Sequence, residues 1–300
     1  MGIKIQFLNG GLANQAFQYI FSRYYELSHP GEKMYLDDSY FANNTVHNGY
    51  ELNKVFGLKP SMASELFNKE AWDNILAQRK EGRSLPQILQ DNGVTTVMIA
   101  EADNYKQWNP FAGTVCSIPC NQYIPQIMDQ DINGILYYHG YWINGKYFEK
   151  YAEEIRKDFT FPELTDEKNL SYLGRIQSEN SVCVHIRRGD FVSLGWAYDS
   201  DTYKALVDVF IENFGKSWTA FVFSDDIEWC KKNQRELGLE SFEEAVFVEG
   251  NINGKNYIDL QLMSSCKGMI VSNSSFSYLA ALLNKNRDFF VNSSSREILG

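Results

Sequence analysis

A chain of 300 residues, 44% of them hydrophobic, is long enough for two ordinary domains and apolar enough to give each a core, which excludes intrinsic disorder. Its 28 Lys and Arg face 38 Asp and Glu, a net charge of −10. Long DNA or RNA is therefore a poor partner, and any anionic ligand must meet a local cluster of cations.

The five cysteines, at 116, 120, 183, 230 and 266, are odd in number, and the single C-x3-C pair has no second pair nearby. That makes a weak zinc site and suits reduced thiols in a cytosolic protein. The opening residues lack the apolar core and basic leader of a signal peptide, and no run of 18 apolar residues offers a membrane span. Aromatics reach 15%. Most belong in cores, yet Tyr and Trp also line sugar sites, stacking one face on a pyranose while the polar end hydrogen-bonds.

In chain order, "IKIQFL" (Ile3 to Leu8) reads as a strand, "NGGLANQ" as a glycine turn and "QAFQYIFSRYYELS" as a helix. "KMYLDD" (Lys33 to Asp38) reads as a second strand. Loops and helices follow from Tyr40 to Asn92, with a break expected at Leu85-Pro86. "TTVMIA" and "GILYYHGYW" are strand-like, and "GKYFEKYAEEIRKDF" reads as one helix. The Pro-containing stretch from Thr160 to Glu167 marks a domain boundary.

Beyond it the alternation is regular. A helix near Lys168 to Ser178 leads into the strand "SVCVHI". The helix "DTYKALVDVFIENF", the strand "AFVFSDD", the helix "IEWCKKNQREL" and the strand "AVFVEG" follow. The helix "YIDLQLMSSC", the strand "GMIVS", the helix "SFSYLAALL" and the strand "DFFV" complete the chain. Short apolar strands alternating with helices predict an α/β fold of parallel β-α-β units.

Ligands of such sheets sit beyond the carboxyl ends of the strands, so the polar residues there are the candidates. After "SVCVHI" come Arg187, Arg188, Gly189 and Asp190. An arginine fork matches phosphate oxygens, and Asp190 can pair with an arginine and fix its direction; a surface ion-pair cluster is the plainer alternative. Ser274 and Ser275 open a helix, either as caps or as part of an anion site at its N-terminus. Asp225 and Asp226 suit a nucleobase or ribose, or in the case of Asp226 a helix cap. Gly10 and Gly11 suggest a closely approached backbone, with Asn14 and Gln15 beside it as sugar or pyrophosphate ligands, or else a simple turn and cap. Asp129-Gln130-Asp131 and Asp199-Ser200-Asp201 match the D-x-D string of metal-dependent transferases, but the second reads better as a cap. His29, His47, His139 and His185 show no metal-ligand spacing.

"GGLANQAFQY", "HIRRGDF", "FSDD" and "DLQLMSSCKGMIVSNSSFSYLAALL", in this order and over nearly the whole chain, resemble the bacterial α1,2-fucosyltransferases of glycosyltransferase family 11. The resemblance implies a GT-B fold, two Rossmann-like domains facing a cleft. Residues 1–160 would form the acceptor side and residues 161–300 would bind GDP-fucose. It places Arg187 and Arg188 on the diphosphate, His185 near the nucleotide, Asp225 near guanosine, and Ser274, Ser275 and Phe276 near the phosphates. Asp190 and Gly11 belong to the same motifs, and Asn14 would face the reaction centre. Ala13, Ala16 and Phe191 stand where Gly, Met and Tyr are usual, and Ala13 would sit less comfortably in a left-handed backbone.

The implied activity is inverting, metal-independent transfer of L-fucose from GDP-fucose to the 2-hydroxyl of a terminal galactose in an oligosaccharide. The arginines would do a metal's work on the departing diphosphate, so no metal or other cofactor is expected. Asp37 or Asp38, after the second strand, would assist deprotonation, and Asp38 is taken as the catalytic one. A cytoplasmic enzyme follows, free of nucleic acid and of a membrane span, with peripheral contact at the inner membrane face allowed. The competing readings are a fucosyltransferase of another linkage such as α1,6, a non-catalytic nucleotide-sugar or glycan-binding protein, and a related transferase using UDP- or ADP-sugars.

Overall fold

Alternating strands and helices build two parallel sheets, one in each half of the chain. The structure is a computed structural model and describes residues 2–42, 47–101, 115–286 and 288–292. Two units are separable, Met1–Thr160 and Phe161–Gly300.

In the first unit, β1 (Ile3–Phe7), β2 (Met34–Asp37), β3 (Thr96–Glu101), β4 (Val115–Ile118) and β5 (Ile135–His139) lie in the order β2-β1-β5-β3-β4. Ile5 in β1 sits opposite Tyr35 on one side and Tyr137 on the other. Helix α1 (Leu12–Ser28) is buried on most sides, and its Phe21 stacks on Trp142 with ring centres 4.3 Å apart. Its buried polar residues Gln15, Gln18 and Ser22 are all hydrogen-bonded, which lets so much of the helix lie inside the core. Helices α3 (Lys69–Lys80) and α4 (Leu85–Asp91) supply Ile75, Ile88 and Leu89 to a cluster with Ile5, Phe7 and Met98. The remaining helices of this unit are short: α2 (Leu52–Phe56), α5 (Lys146–Glu149) and α6 (Ala152–Asp158).

In the second unit, β6 (Ser181–Ile186), β7 (Thr219–Ser224), β8 (Glu244–Phe247), β9 (Gly268–Val271) and β10 (Phe289–Asn292) lie in the order β10-β9-β6-β7-β8. Counted within the unit this is 5-4-1-2-3, the dinucleotide-fold order. Every residue of the central strand β6 is buried. Val182, Val184 and Ile186 pack with Tyr203, Val207 and Phe210 of α9 (Ser200–Phe214). Each such side chain contributes roughly 1.5–3 kcal/mol by leaving water. The other helices are α7 (Glu167–Ser178), α8 (Gly189–Leu194), α10 (Ile227–Lys232), α11 (Asn256–Ser265) and α12 (Ser275–Leu283).

Several local expectations need correction. Leu85-Pro86 starts a helix instead of breaking one: Ser84 caps α4, accepting from Gln87 N–H while the Gln87 side chain accepts from Ser84 N–H, and Pro86 has no first-turn N–H to waste. "GKYFEKYAEEIRKDF" forms two short helices, and α10 stops at Lys232. The strand β4 went unforeseen because only Ile118 of its four residues is buried, leaving no alternation to read. Ala13 lies inside α1; the left-handed residue of the glycine turn is Gly10, at φ 76°.

Candidate active site

In the second sheet the chain leaves β6 through β7 and β8 on one side and returns through β9 and β10 on the other, so the carboxyl ends of β6 and β9 flank the switch point. Arg187 and Arg188 follow β6, Asp225 and Asp226 follow β7, and Ser272, Asn273 and Ser274 follow β9.

Two carboxylates aim Arg187. Its Nη2 donates to Asp190 Oδ1 at 2.5 Å and its Nη1 pairs with Asp225 Oδ2 at 2.8 Å. Its guanidinium lies 5.2 Å from the Phe191 ring centre, and its backbone N–H donates to the Tyr203 hydroxyl at 3.1 Å. Arg188 Nε donates to Asp226 Oδ2 at 3.2 Å, and its guanidinium sits 3.6 Å over the Trp229 ring. Asp225 serves both arginines, since its Oδ1 accepts from the Arg188 N–H at 2.8 Å. Gly189 permits this approach, because a Cβ there would collide with the Asp225 carboxylate. These pairs are partly solvated, so they add little stability; their effect is to fix direction. Asp225, expected near guanosine, has both oxygens engaged in this turn.

His185 alternates with Val184 and Ile186, on the face of β6 away from the Tyr203, Val207 and Phe210 cluster. Its Nδ1 lies 3.2 Å from Ser272 Oγ, and its ring is 5.8 Å from that of Phe276. Burial, and then the Arg187 charge, push its pKa down to about 3, so the imidazole is neutral in the physiological range. Ser274 caps α12, its Oγ accepting from the Phe276 N–H at 3.3 Å. Ser275 is the first helical residue, so the positive end of the α12 dipole lies at this strand end.

The first unit presents a different electrostatic face. Gly10 takes φ 76°, and a Cβ there would press on the Asn14 side chain at 2.7 Å. Gly11 precedes α1 with an extended backbone, and a Cβ there would meet the His47 ring at an ordinary 3.5 Å. Gln15 is buried and its amide is used up: Nε2 donates to Gly10 O at 2.9 Å and Gly49 O at 2.8 Å, and Oε1 accepts from Glu51 N–H at 2.9 Å. It therefore staples the glycine turn to the loop before α2. The buried Glu51 side chain accepts from Asn48 Nδ2 at 3.1 Å, and burial raises its pKa.

The two aspartates at the end of β2 separate clearly. Asp37 is fully buried and saturated, accepting from the Tyr137 hydroxyl at 2.6 Å and from Ser39 N–H at 3.0 Å. Asp38 is half-buried, and burial followed by the Asp37 charge lifts its pKa to about 6. Tyr50 feels it: burial and then Asp38 raise that phenol to about 12.

Residue-type reasoning missed one polar network. Asn251 Nδ2 donates to Asp259 Oδ1 at 2.7 Å, Asn169 and Asn251 exchange amide hydrogen bonds, and Asn169 Nδ2 donates to both oxygens of Asp166. Burial raises Asp259 to about 7. Its signal was a single acid inside the apolar helix "YIDLQLMSSC". Both D-x-D strings have structural partners: Asp199 caps α9 through Thr202 N–H at 2.8 Å, Asp129 pairs with His29 at 3.2 Å and Asp131 accepts from Gly2 N–H at 2.6 Å. Among the described residues no cluster of three or more His, Cys, Asp or Glu is arranged to hold a metal ion, and no helix is long and apolar enough to cross a membrane.

A sequence model described as glycosyl transferase family 11 matches residues 5–295. The chain is 32% identical over 302 residues to an alpha-1,2-colitosyltransferase of Escherichia coli, covering 96% of this chain and 89% of that protein. It is 25% identical over 300 residues to the O-antigen biosynthesis glycosyltransferase WbnK of Escherichia coli, covering 95% and 91%. The galactoside alpha-(1,2)-fucosyltransferase 1 of Homo sapiens is 26% identical over 158 residues, 48% of this chain and 42% of that protein.

Proposed function

Starting from the fact that this chain belongs to glycosyltransferase family 11, we propose that it transfers L-fucose from GDP-fucose to the 2-hydroxyl of a terminal galactose, with inversion and without a metal. The observation that carries this reading is Arg187, held by Asp190 and Asp225 at a topological switch point beside the N-terminus of α12. That arrangement answers charge growing on a departing diphosphate.

The reaction proceeds by attack of the acceptor oxygen on the anomeric carbon from the face opposite the diphosphate. The bond from that carbon to the diphosphate oxygen breaks, and its electron pair leaves with GDP. Arg187, Arg188 and the first-turn N–H groups of α12 bind the diphosphate. The exposed Asp190 exchanges its place on Arg187 with a phosphate oxygen, while Asp225 keeps the guanidinium aimed. His185 lines the nucleotide side as a neutral hydrogen-bonding ring. Asn14 orients the acceptor, and Asp38, ionised above pH 6, takes the acceptor proton. The acidic edge of the first unit suits a neutral sugar, and the arginine edge of the second suits an anionic donor. This supports residues 1–160 as the acceptor side and residues 161–300 as the donor side.

A second donor has a specific observation behind it, the 32% identity to a colitosyltransferase. Colitose is 3,6-dideoxy-L-galactose and fucose is 6-deoxy-L-galactose, so both donors present the same methyl group. The test is GDP release and product formation with lactose in EDTA, from GDP-fucose and from the colitose analogue, for wild type and Arg187→Ala. Turnover in wild type that falls about 10²–10³-fold in the variant supports the reading. GDP binding without turnover across a panel of galactosides would favour a binding protein, and full activity in Arg187→Ala would remove the arginine from the mechanism.

A further inference from the structure

Three of the seven large hydrophobic side chains exposed among the described residues fall within five positions directly behind the arginine pair: Val192 at 50%, Leu194 at 50% and Trp196 at 59% exposure. Single exposed apolar residues need no explanation, but a cluster beside a charged site does.

The segment is firmly held. Trp196 and Ala197 both donate their backbone N–H to Phe191 O, at 2.9 and 3.1 Å, with Gly195 at φ 69° making the reversal. The Trp196 carbonyl accepts from Asn273 Nδ2 at 2.8 Å. The indole meets the Phe191 ring edge-on at 5.7 Å, and that same Phe191 ring lies against the Arg187 guanidinium. Trp196 is thus tied to both loops that form the phosphate cradle, through Phe191 after β6 and through Asn273 after β9. Trp196 therefore borders the phosphate cradle, and in a nucleotide sugar the sugar is joined directly to the diphosphate.

We propose that Trp196 receives the methyl edge of a 6-deoxy donor sugar and sets the preference for such donors. The inference rests on the GDP-sugar reading above and holds for either candidate donor. A hexose with a hydroxymethyl group would set a hydroxyl against the indole face, which offers it no hydrogen-bond partner, at a cost in free energy. Anionic lipid is a poor partner for Trp196, because Asp190, Asp199 and Asp201 stand exposed within six residues of it in sequence, on a chain of net charge −10.

The experiment is calorimetric binding of GDP, GDP-L-fucose and GDP-L-galactose to the full chain, as wild type, Trp196→Ala and Trp196→Phe. The two sugars differ only by the hydroxyl at C6. Wild type should prefer GDP-L-fucose by roughly 10–100-fold, the order expected when an apolar site meets an added hydroxyl. Trp196→Ala should lose most of that preference while binding GDP as wild type does, and Trp196→Phe should keep most of it. Because the indole is largely exposed, its removal leaves the fold in place, and unchanged GDP affinity checks that directly. An undiminished preference in Trp196→Ala, including the case where only the acceptor KM rises, overturns the proposal while leaving the GDP-sugar reading standing. Wild type that binds none of the three would overturn both.

Discussion

Arg187 takes its direction from carboxylates 3 and 38 residues downstream, Asp190 and Asp225. The same turn needs a residue without a side chain at Gly189, so one strand end demands several residue types at once. Asp38 allows a sharper test. Its carboxyl is raised to about 6, above its unfolded value, so the folded chain holds the extra proton between about pH 4 and 6. Wild type therefore loses stability as pH rises through that window, and Asp38→Asn does not. The variant should lose activity, along with the limb near pH 6 in kcat/KM, yet show a urea midpoint at pH 8 at least as high as wild type. A midpoint well below wild type at pH 8 would assign Asp38 a structural role. His185 cannot supply that limb, since burial holds its pKa near 3.

At the scale of the element, the turn between β1 and α1 divides its two glycines. Gly10 has a positive φ and its Cβ position is occupied by Asn14, whereas Gly11 has an extended backbone and room against His47. Gly10→Ala should cost about 1 kcal/mol or more in chemical denaturation, and Gly11→Ala about half a kcal/mol or less. If Gly11→Ala leaves stability intact but weakens acceptor use, the backbone there is approached by substrate; if it leaves both intact, Gly11 is a turn residue only. Helix ends were legible from local chemistry, as at Asp199, Asp226 and Ser274, because a cap needs only neighbours in sequence. The edge strand β4 was not, because an exposed four-residue strand carries no burial pattern to read.

At the scale of the molecule, α6 ends at Asp158 and α7 begins at Glu167, and Thr160, Pro162, Glu163 and Thr165 between them are exposed. Limited digestion with a Glu-specific protease should cut first at Glu163 and yield fragments close to residues 1–163 and 164–300. A first cut elsewhere would show that this segment is protected.

The sequence by itself determined the alternation of strands and helices, the polar strand ends and the arginine motif, because hydrophobic periodicity and turn chemistry act over a few residues. Tertiary structure decided which polar residues meet. It separated Asp37, consumed by Tyr137 a hundred residues away, from Asp38. It made Gln15 a staple across the glycine turn and Asp225 the partner of two arginines. It also brought Asn273 to Trp196, 77 residues apart. Such pairings depend on strand order and register, and these follow from the burial of whole faces, which no short window of sequence contains.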